Sequence, residues 1–445
     1  MPRVHGYIAS IIVGLLFLLG CTPASAPPTS TAPSASENPI DKVEITKPVE
    51  ALFWHRQTGE SETLQQKLID EFQATQPNIK IKAESLGDYD KLYQKILASI
   101  QAGSPPDLVA AYENQAAEYY DADALVPFDD FIRSKKYGLK EAELADYVPA
   151  FIEASKFSQY GGKMLTFPYT KSDLLMYTNM ELLRSLGFSK PALTWDEFLT
   201  HCRKAVGAGT QCYAMEVSAS TFDGIVYSNG GELVSSDGKK VLFDQAATTK
   251  TLQLYETLYK EKLAYQIKGD DDSNDLMAGK ALYSIRSVTK VPRLTTGFKD
   301  INKWEASIIP QGTAGDKKAT VLFGANISIM KSTPEEQLAS WLFVKYLTSP
   351  AVTARWGLDK SNGYFPVRQS ALDTPEAKKF MDENPKFRQA FDISKFAKAE
   401  PSVRGWQEIR TIIENSATGV ITGQKTAADA QKELVEKANK VLASQ

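Results

Sequence analysis

Between residues 48 and 111 the apolar positions switch repeatedly between short runs and a helical period. Val49 to Trp54 is an apolar run of strand length. After Ser61, the set Leu64, Leu68, Ile69 and Phe72 follows one helix face and stops before Pro77. Ile79 to Ile81 reads as a second strand. Leu92, Ile96 and Ile100 then mark a helix ending at Gly103. Asp107 to Ala111, after the Pro105-Pro106 breaker, is the third strand. This β-α-β-α-β order predicts a parallel sheet with right-handed crossovers. Such sheets bind ligands beyond the carboxyl ends of their strands. This chain places Trp54-His55-Arg56, Gly87-Asp88-Tyr89 and Tyr112-Glu113-Asn114 there, so a polar and aromatic cleft is expected.

Further on, Gly161-Gly162 marks a hairpin turn ahead of a strand from Met164 to Phe167. Leu174 to Tyr177 and Ala281 to Ile285 read as strands, and Met180 to Leu186 as a helix. Thr194 and Glu197 have the spacing of a capping box opening a helix through His201. Helical patterns cover Lys250 to Lys262, Glu335 to Leu347, Arg404 to Ser416 and Ala427 to Leu442. Trp195, Trp341 and Trp356 lie in such patterns and are assigned to packing. The acidic run Asp270-Asp271-Asp272 lacks the glycine of a calcium loop and is expected to be a solvated loop. No solenoid repeat is present. No Pro/Ser linker interrupts residues 45–445, so two lobes that exchange segments several times are expected.

The N-terminus reads differently. Arg3 and His5 precede twelve apolar-rich residues, Ile8 to Leu19, too short for a membrane span but suited to a signal peptide over residues 1–20. Leu18-Leu19-Gly20-Cys21 resembles the bacterial lipobox, which implies lipidation of Cys21; a plain secretory signal is the alternative. Thr22 to Ser36 holds only Ser, Thr, Ala and Pro, so residues 21–44 are expected to form a disordered tether. The chain has 51 basic and 54 acidic residues without a basic cluster, which argues against nucleic-acid binding. Three histidines and three cysteines leave little room for zinc or triad chemistry, and no metal-ligand spacing is present. Cys202 and Cys212 form an even pair for an oxidising compartment, a disulfide candidate with two buried free thiols as the alternative.

Several segments together resemble the extracellular solute-binding proteins of bacterial ABC importers, in the family of maltose- and glycerol-3-phosphate-binding proteins. They stand here as Phe53-Trp54-His55 with Thr58-Gly59, Leu68-Ile69-Asp70-Glu71-Phe72, and Gly103-Ser104-Pro105-Pro106-Asp107-Leu108-Val109. Phe167-Pro168-Tyr169, Tyr177-Thr178-Asn179 and Thr194-Trp195-Asp196-Glu197-Phe198 follow. Gly324-Ala325-Asn326, Trp341-Leu342-Phe343 and Gly363-Tyr364-Phe365-Pro366 complete the order. The resemblance covers about residues 48–440. It implies an α/β, two-lobe periplasmic-binding-protein fold (type II, maltose-binding-protein-like) with several hinge crossovers. These are expected near Thr170–Ser172, Ile309–Gly312 and Ser361–Gly363. Lobe one is then 45–170 plus 310–362, and lobe two 171–309 plus 363–445.

The implied function is capture of a sugar or polyol, which a phosphate group could accompany, by a monomeric, lipid-anchored, extracytoplasmic protein. No enzyme activity, cofactor or metal is implied, and the partner is an ABC permease. Tyr89, Glu113, Ser172, Ser287, Gly324 and Tyr364 match binding positions of the glycerol-3-phosphate-type relatives or lie near them. Trp54, Asn114, Asn326 and Trp406 supply a ring or an amide suited to an uncharged sugar. The relatives' tryptophans after Tyr213-Ala214 are replaced by Val217 and Ser220, with Phe222 nearby. Their phosphate-meeting arginine has no match in register: Arg404 lies about two positions away, and Arg286 precedes Ser287. A ligand-sensing lipoprotein of the same fold and a secreted glycoside hydrolase are the alternatives.

Overall fold

One strand, Ser172–Asn179, is buried at every position and divides its side chains between two cores. Leu174 and Met176 enter one core, Leu175 and Tyr177 the other, as the period-two alternation of a strand requires. The computed structural model describes residues 37–312 and 317–444. The expected signal peptide, Cys21 and the tether as far as residue 36 lie outside them. The tether was expected to continue to residue 44, but residues 38–44 dock on lobe one. Ile40 is buried there, Asn38 Nδ2 donates to the Asp130 carbonyl, and Ser134 Oγ donates to Asp41.

The chain first lays down β1 (Val49–His55), β2 (Ile79–Ser85), β3 (Leu108–Ala111) and β4 (Leu125–Val126). After a hairpin of β5 (Lys156–Phe157) and β6 (Lys163–Met164), β7 (Phe167–Pro168) returns to the same sheet. The next strands build a second sheet. They are β8 (Ser172–Asn179), β9 (Gln211–Met215), β10 (Ala264–Gln266), β11 (Ala281–Ser287), β12 (Trp304–Ile308) and β13 (Thr320–Phe323). Finally β14 (Asn326–Met330) inserts into the first sheet and β15 (Ala397–Ala399) adds to the edge of the second.

Within the first sheet the order is β2-β1-β3-β14-β4, with β1 parallel to both β2 and β3 as the sequence predicts. β14 then pairs antiparallel with β3, so this sheet is mixed. The second sheet runs β10-β9-β11-β8-β13-β15, with β12 also on β8. The single strand expected from Met164 to Phe167 is split between β6 and β7. Thr194 does cap its helix, accepting from Glu197 N, but Glu197 takes the Leu193 N–H, so the reciprocal bond of a capping box is not made.

Strand pairing fixes where the chain passes between lobes. The first passage, Tyr169–Lys171, falls where expected. The second is displaced from Ile309–Gly312. Thr320–Phe323 still pairs with β8, so the crossing is Gly324–Ala325. These two segments lie side by side: Thr170 N and Oγ1 both donate to the Ala325 carbonyl, at 2.9 and 2.8 Å. Phe365 N donates to the Lys171 carbonyl beside them. The chain does not stay in lobe two after Gly363, because Val148 N bonds the Val367 carbonyl in lobe one. The helices Pro375–Glu383 and Pro385–Ile393 carry it across, the second lying on β12.

Gly324 shows how tight this crossing is. Its φ is +110°, and a Cβ there would stand 1.9 Å from the Thr170 carbonyl oxygen. Gly162 also has positive φ, +78°, but a Cβ on it would meet nothing within 4 Å. Gly162→Ala therefore costs the backbone strain alone, about 1–3 kcal/mol. Gly324→Ala adds a backbone clash and is expected to lower the thermal midpoint by clearly more. Equal midpoints for the two variants in a calorimetric melt would contradict the packing of this crossing.

Candidate functional site

The three loops past β1, β2 and β3 face the crossing, and their side chains meet. Tyr89 opens the helix Tyr89–Gln101, and its ring lies 4.8 Å from that of Tyr112. Burial pushes its hydroxyl up to about 12. The Arg56 guanidinium stands 5.1 Å over the Tyr89 ring and donates through Nη2 to the Tyr364 hydroxyl at 2.9 Å. Glu113, the first residue of the helix Glu113–Asp121, accepts from Lys171 Nζ at 2.8 Å. Lys171 belongs to the first crossing and is fully buried, so the pair ties lobe one to the hinge. Removing one member of such a pair typically costs about 3–5 kcal/mol, because the other charge is left buried. Glu113 is thereby a structural residue as well as a ligand candidate.

From the second sheet, Ser172 Oγ and Ser287 Oγ share a 2.6 Å hydrogen bond, and Thr289 Oγ1 donates to Ser287 at 2.9 Å. Asn326, at the start of β14, is fully buried, and neither side-chain polar atom has a protein partner. Asn114 Nδ2 reaches across to Gln407 Oε1 at 3.3 Å, joining the lobes directly. Gly324 serves the crossing itself.

Three expected residues stand elsewhere. Trp54 packs in the first core with Lys95 Nζ 4.3 Å over its ring. Arg404 is exposed and precedes its helix, lining a separate cavity with Tyr93, Glu118 and Gln407. Trp406 is fully buried in the second core, 6.2 Å from Phe243. The helix begins at Trp406, after Gly405 at φ +76°, and its phase turns Trp406, Ile409 and Ile413 inward. Gln407 and Arg410 point across the cleft instead. Arg410 donates to both oxygens of Glu400, at 2.5 and 2.6 Å, and lies 5.7 Å from the Tyr112 ring of the other lobe. Arg410 was legible as the residue one helical turn beyond Trp406.

Asp223, in the helix Ala219–Ser228, was not anticipated. It is fully buried, neither carboxyl oxygen has a protein partner, and its charged neighbours are Glu400, Arg410 and Glu414. Burial, and then Glu400, hold its pKa well above the ordinary carboxylate range and favour its protonated form. The acidic run is solvated at Asp270 and Asp271, as expected, but it opens the helix Asp271–Met277 in place of a loop and buries its third carboxylate. Asp272 is buried, accepts from Ser284 Oγ at 2.8 Å and pairs with Arg286 at 3.4 Å. Arg286 is therefore engaged away from any ligand. Burial lowers His55 to about 4, and its Nδ1 accepts the Gln57 N–H. Cys202 and Cys212 are joined in a disulfide, with Cα atoms 4.9 Å apart. Among the described residues no group of three or more His, Cys, Asp or Glu could hold a metal ion. Nor is any helix long and apolar enough to cross a membrane.

A family model described as bacterial extracellular solute-binding protein matches residues 67–389. The sn-glycerol-3-phosphate-binding periplasmic protein UgpB of Escherichia coli K12 is 21% identical over 408 residues, covering 88% of this chain and 92% of the relative. Among solved structures, UgpB of Mycobacterium tuberculosis in complex with glycerophosphocholine is similar at TM-score 0.77 and 22% identity. That match covers 90% of this chain and 99% of the other. The GacH receptor of Streptomyces glaucescens, solved unliganded and with acarbose, is similar at TM-score 0.74 and 20% identity, covering 88% and 98%. These structures share the two-lobe, maltose-binding-protein-like fold.

The buried Asp223 makes stability depend on pH. Its pKa is raised above the unfolded value of 3.8, so above about pH 4 the folded chain holds a proton that the unfolded chain has lost. Its contribution to stability therefore falls as pH rises through that window. Asp223→Asn has no proton to lose. The melting temperature of the variant minus that of the wild type should increase from pH 4.5 to pH 7.5. A difference independent of pH would show that Asp223 is ionised in the folded protein.

Proposed function

Because the chain belongs to the bacterial extracellular solute-binding protein family, we propose that it captures a carbohydrate or a glycerol-phosphate-type polyol between its lobes. It then delivers this solute to the membrane subunits of an ABC importer. One observation carries the reading: buried polar groups without protein partners gather around the crossing, among them Arg56 Nε, both polar atoms of Asn326 and the Asp223 carboxyl. An unsatisfied buried group typically costs about 1–3 kcal/mol. A solute rich in hydroxyls offers donors and acceptors to such a set. A ligand touching both lobes favours the closed form by its differential affinity, and the closed form is what a permease recognises. The relatives crystallised with acarbose and with glycerophosphocholine support both a neutral and a phosphorylated solute.

The protein binds its solute and does not transform it. Both described histidines are buried and both described cysteines are tied in the disulfide. Glu113 and Glu400 are each committed to a cation. The protein acts as a monomer held outside the cytoplasm by lipid on Cys21, with residues 22–36 as the tether.

A thermal-shift screen against sugars, polyols and glycerophosphodiesters tests capture. At a concentration one hundred times Kd, a ligand adds about 2.7 kcal/mol of stability. A bound solute should raise the melting temperature and be recovered unchanged by chromatography. Conversion to product would overturn the binding-protein reading. Cys21→Ser should move the protein from the membrane fraction to the soluble one, and an unchanged membrane fraction would rule out the anchor.

A further inference from the structure

The ionisable groups buried around the crossing are matched in pairs or, like Asp173 and Asp223, are carboxyls that burial pushes toward the neutral form. Lys171 meets Glu113 at 2.8 Å, Arg410 meets Glu400 at 2.5 Å, and Arg286 meets Asp272 at 3.4 Å and Glu216 at 3.2 Å. Arg56 breaks the pattern. Its partners are the rings and hydroxyls of Tyr364, Tyr89 and Tyr112, and no carboxylate pairs with it among the described residues. Its Nε is buried and has no hydrogen-bond acceptor. A guanidinium carries five donors in a planar fork suited to phosphate and carboxylate oxygens. Partly buried without a counter-charge, it loses solvation that an anion would restore.

The space beside Arg56 has the matching character. A cavity of about 280 Å³ opens there between the lobes. Arg56, Lys360 and Tyr364 line it from one side, and Asp270, Lys290 and Arg293 from the other. Four cations therefore face one carboxylate, and Asp270 is shared between Lys290 and Arg293. Pockets for drug-sized ligands measure roughly 300–1,000 Å³, so this cavity, at the small end, suits a head group in place of a whole oligosaccharide.

Resting on the reading of the cleft as a solute site, we infer that Arg56 holds an oxyanion group of the solute, a phosphate or a carboxylate. Lys290, Arg293 and Lys360 supply the surrounding positive field. Arg56 is thus the specificity-determining residue for charged solutes. Arg410, neutralised by Glu400, and Arg404, exposed and lining a different cavity, do not take this part.

Isothermal titration calorimetry with sn-glycerol 3-phosphate, glucuronate and maltose tests this on the wild type, Arg56→Gln and Arg56→Lys, each checked by its ligand-free melting temperature. The wild type should bind at least one of the two anions. Preference for the first identifies phosphate as the group held, and preference for the second carboxylate. Arg56→Gln should weaken the bound anion by about ten- to a hundredfold, the range for a lost charged hydrogen bond. Its melting temperature should stay near that of the wild type, and maltose binding, where present, should weaken by clearly less than anion binding. Arg56→Lys, which keeps the charge but loses the fork, should fall between. Undiminished anion binding by Arg56→Gln, or equal loss for anion and maltose, would overturn the assignment. Wild type that binds maltose and neither anion would overturn it while leaving solute capture standing. Binding of none of the three, together with silence in the wider thermal-shift screen, would remove both.

Discussion

Everything in the cleft hangs on two backbone segments that run side by side between the lobes. Thr170 donates twice to the Ala325 carbonyl, and Gly324 must lack a side chain for that approach. Because Lys171 follows Thr170, its ammonium is delivered to Glu113 at the mouth of the first sheet. Because Ser172 follows Lys171, β8 begins at once and brings Ser172 to Ser287. Because Asn326 follows Ala325, an unpartnered amide is held at the same place. Each lobe thus presents its polar groups from the ends of strands whose positions the crossing dictates.

The interior charges follow a simple economy. The fold holds Glu113, Lys171, Glu400 and Asp223 away from water and Arg410 and Arg56 partly so, and each must find a partner or give up its charge. Four of them form two pairs. Burial and the neighbouring Glu400 push Asp223 toward its protonated form. Arg56 has tyrosine hydroxyls and rings alone. The arginine without a carboxylate therefore makes the cleft asymmetric, with its excess positive charge on the side where Lys290, Arg293 and Lys360 also face.

Much of this was legible from residue patterns, because strand ends and glycine-proline punctuation mark where loops converge. The three loops past β1, β2 and β3 were placed correctly, and Tyr89, Glu113 and Tyr364 do meet near the crossing. What pattern alone could not settle was phase and partnership. The second crossing, which the family resemblance put near Ile309–Gly312, lies some twelve residues later, because the apolar run Thr320–Phe323 pairs with β8. The helix after Gly405 starts two residues later than its apolar spacing suggested, which exchanges Arg404 and Trp406 for Gln407 and Arg410. Asp223 and Glu400 lie far apart in sequence and become neighbours through tertiary packing, so no local signal announced them. Arg56 sat beside the expected cleft, yet its importance depends on the absence of a carboxylate partner, which spacing cannot reveal.

If the paired crossing is a hinge, capture must change the distance between the lobes. Small-angle X-ray scattering on the purified protein, with and without a solute that raises its melting temperature, measures this directly. The radius of gyration should fall on binding, and the fall should saturate at the stoichiometry of one solute per chain. A scattering curve that a saturating solute leaves unchanged would contradict closure about Tyr169–Lys171 and Gly324–Ala325.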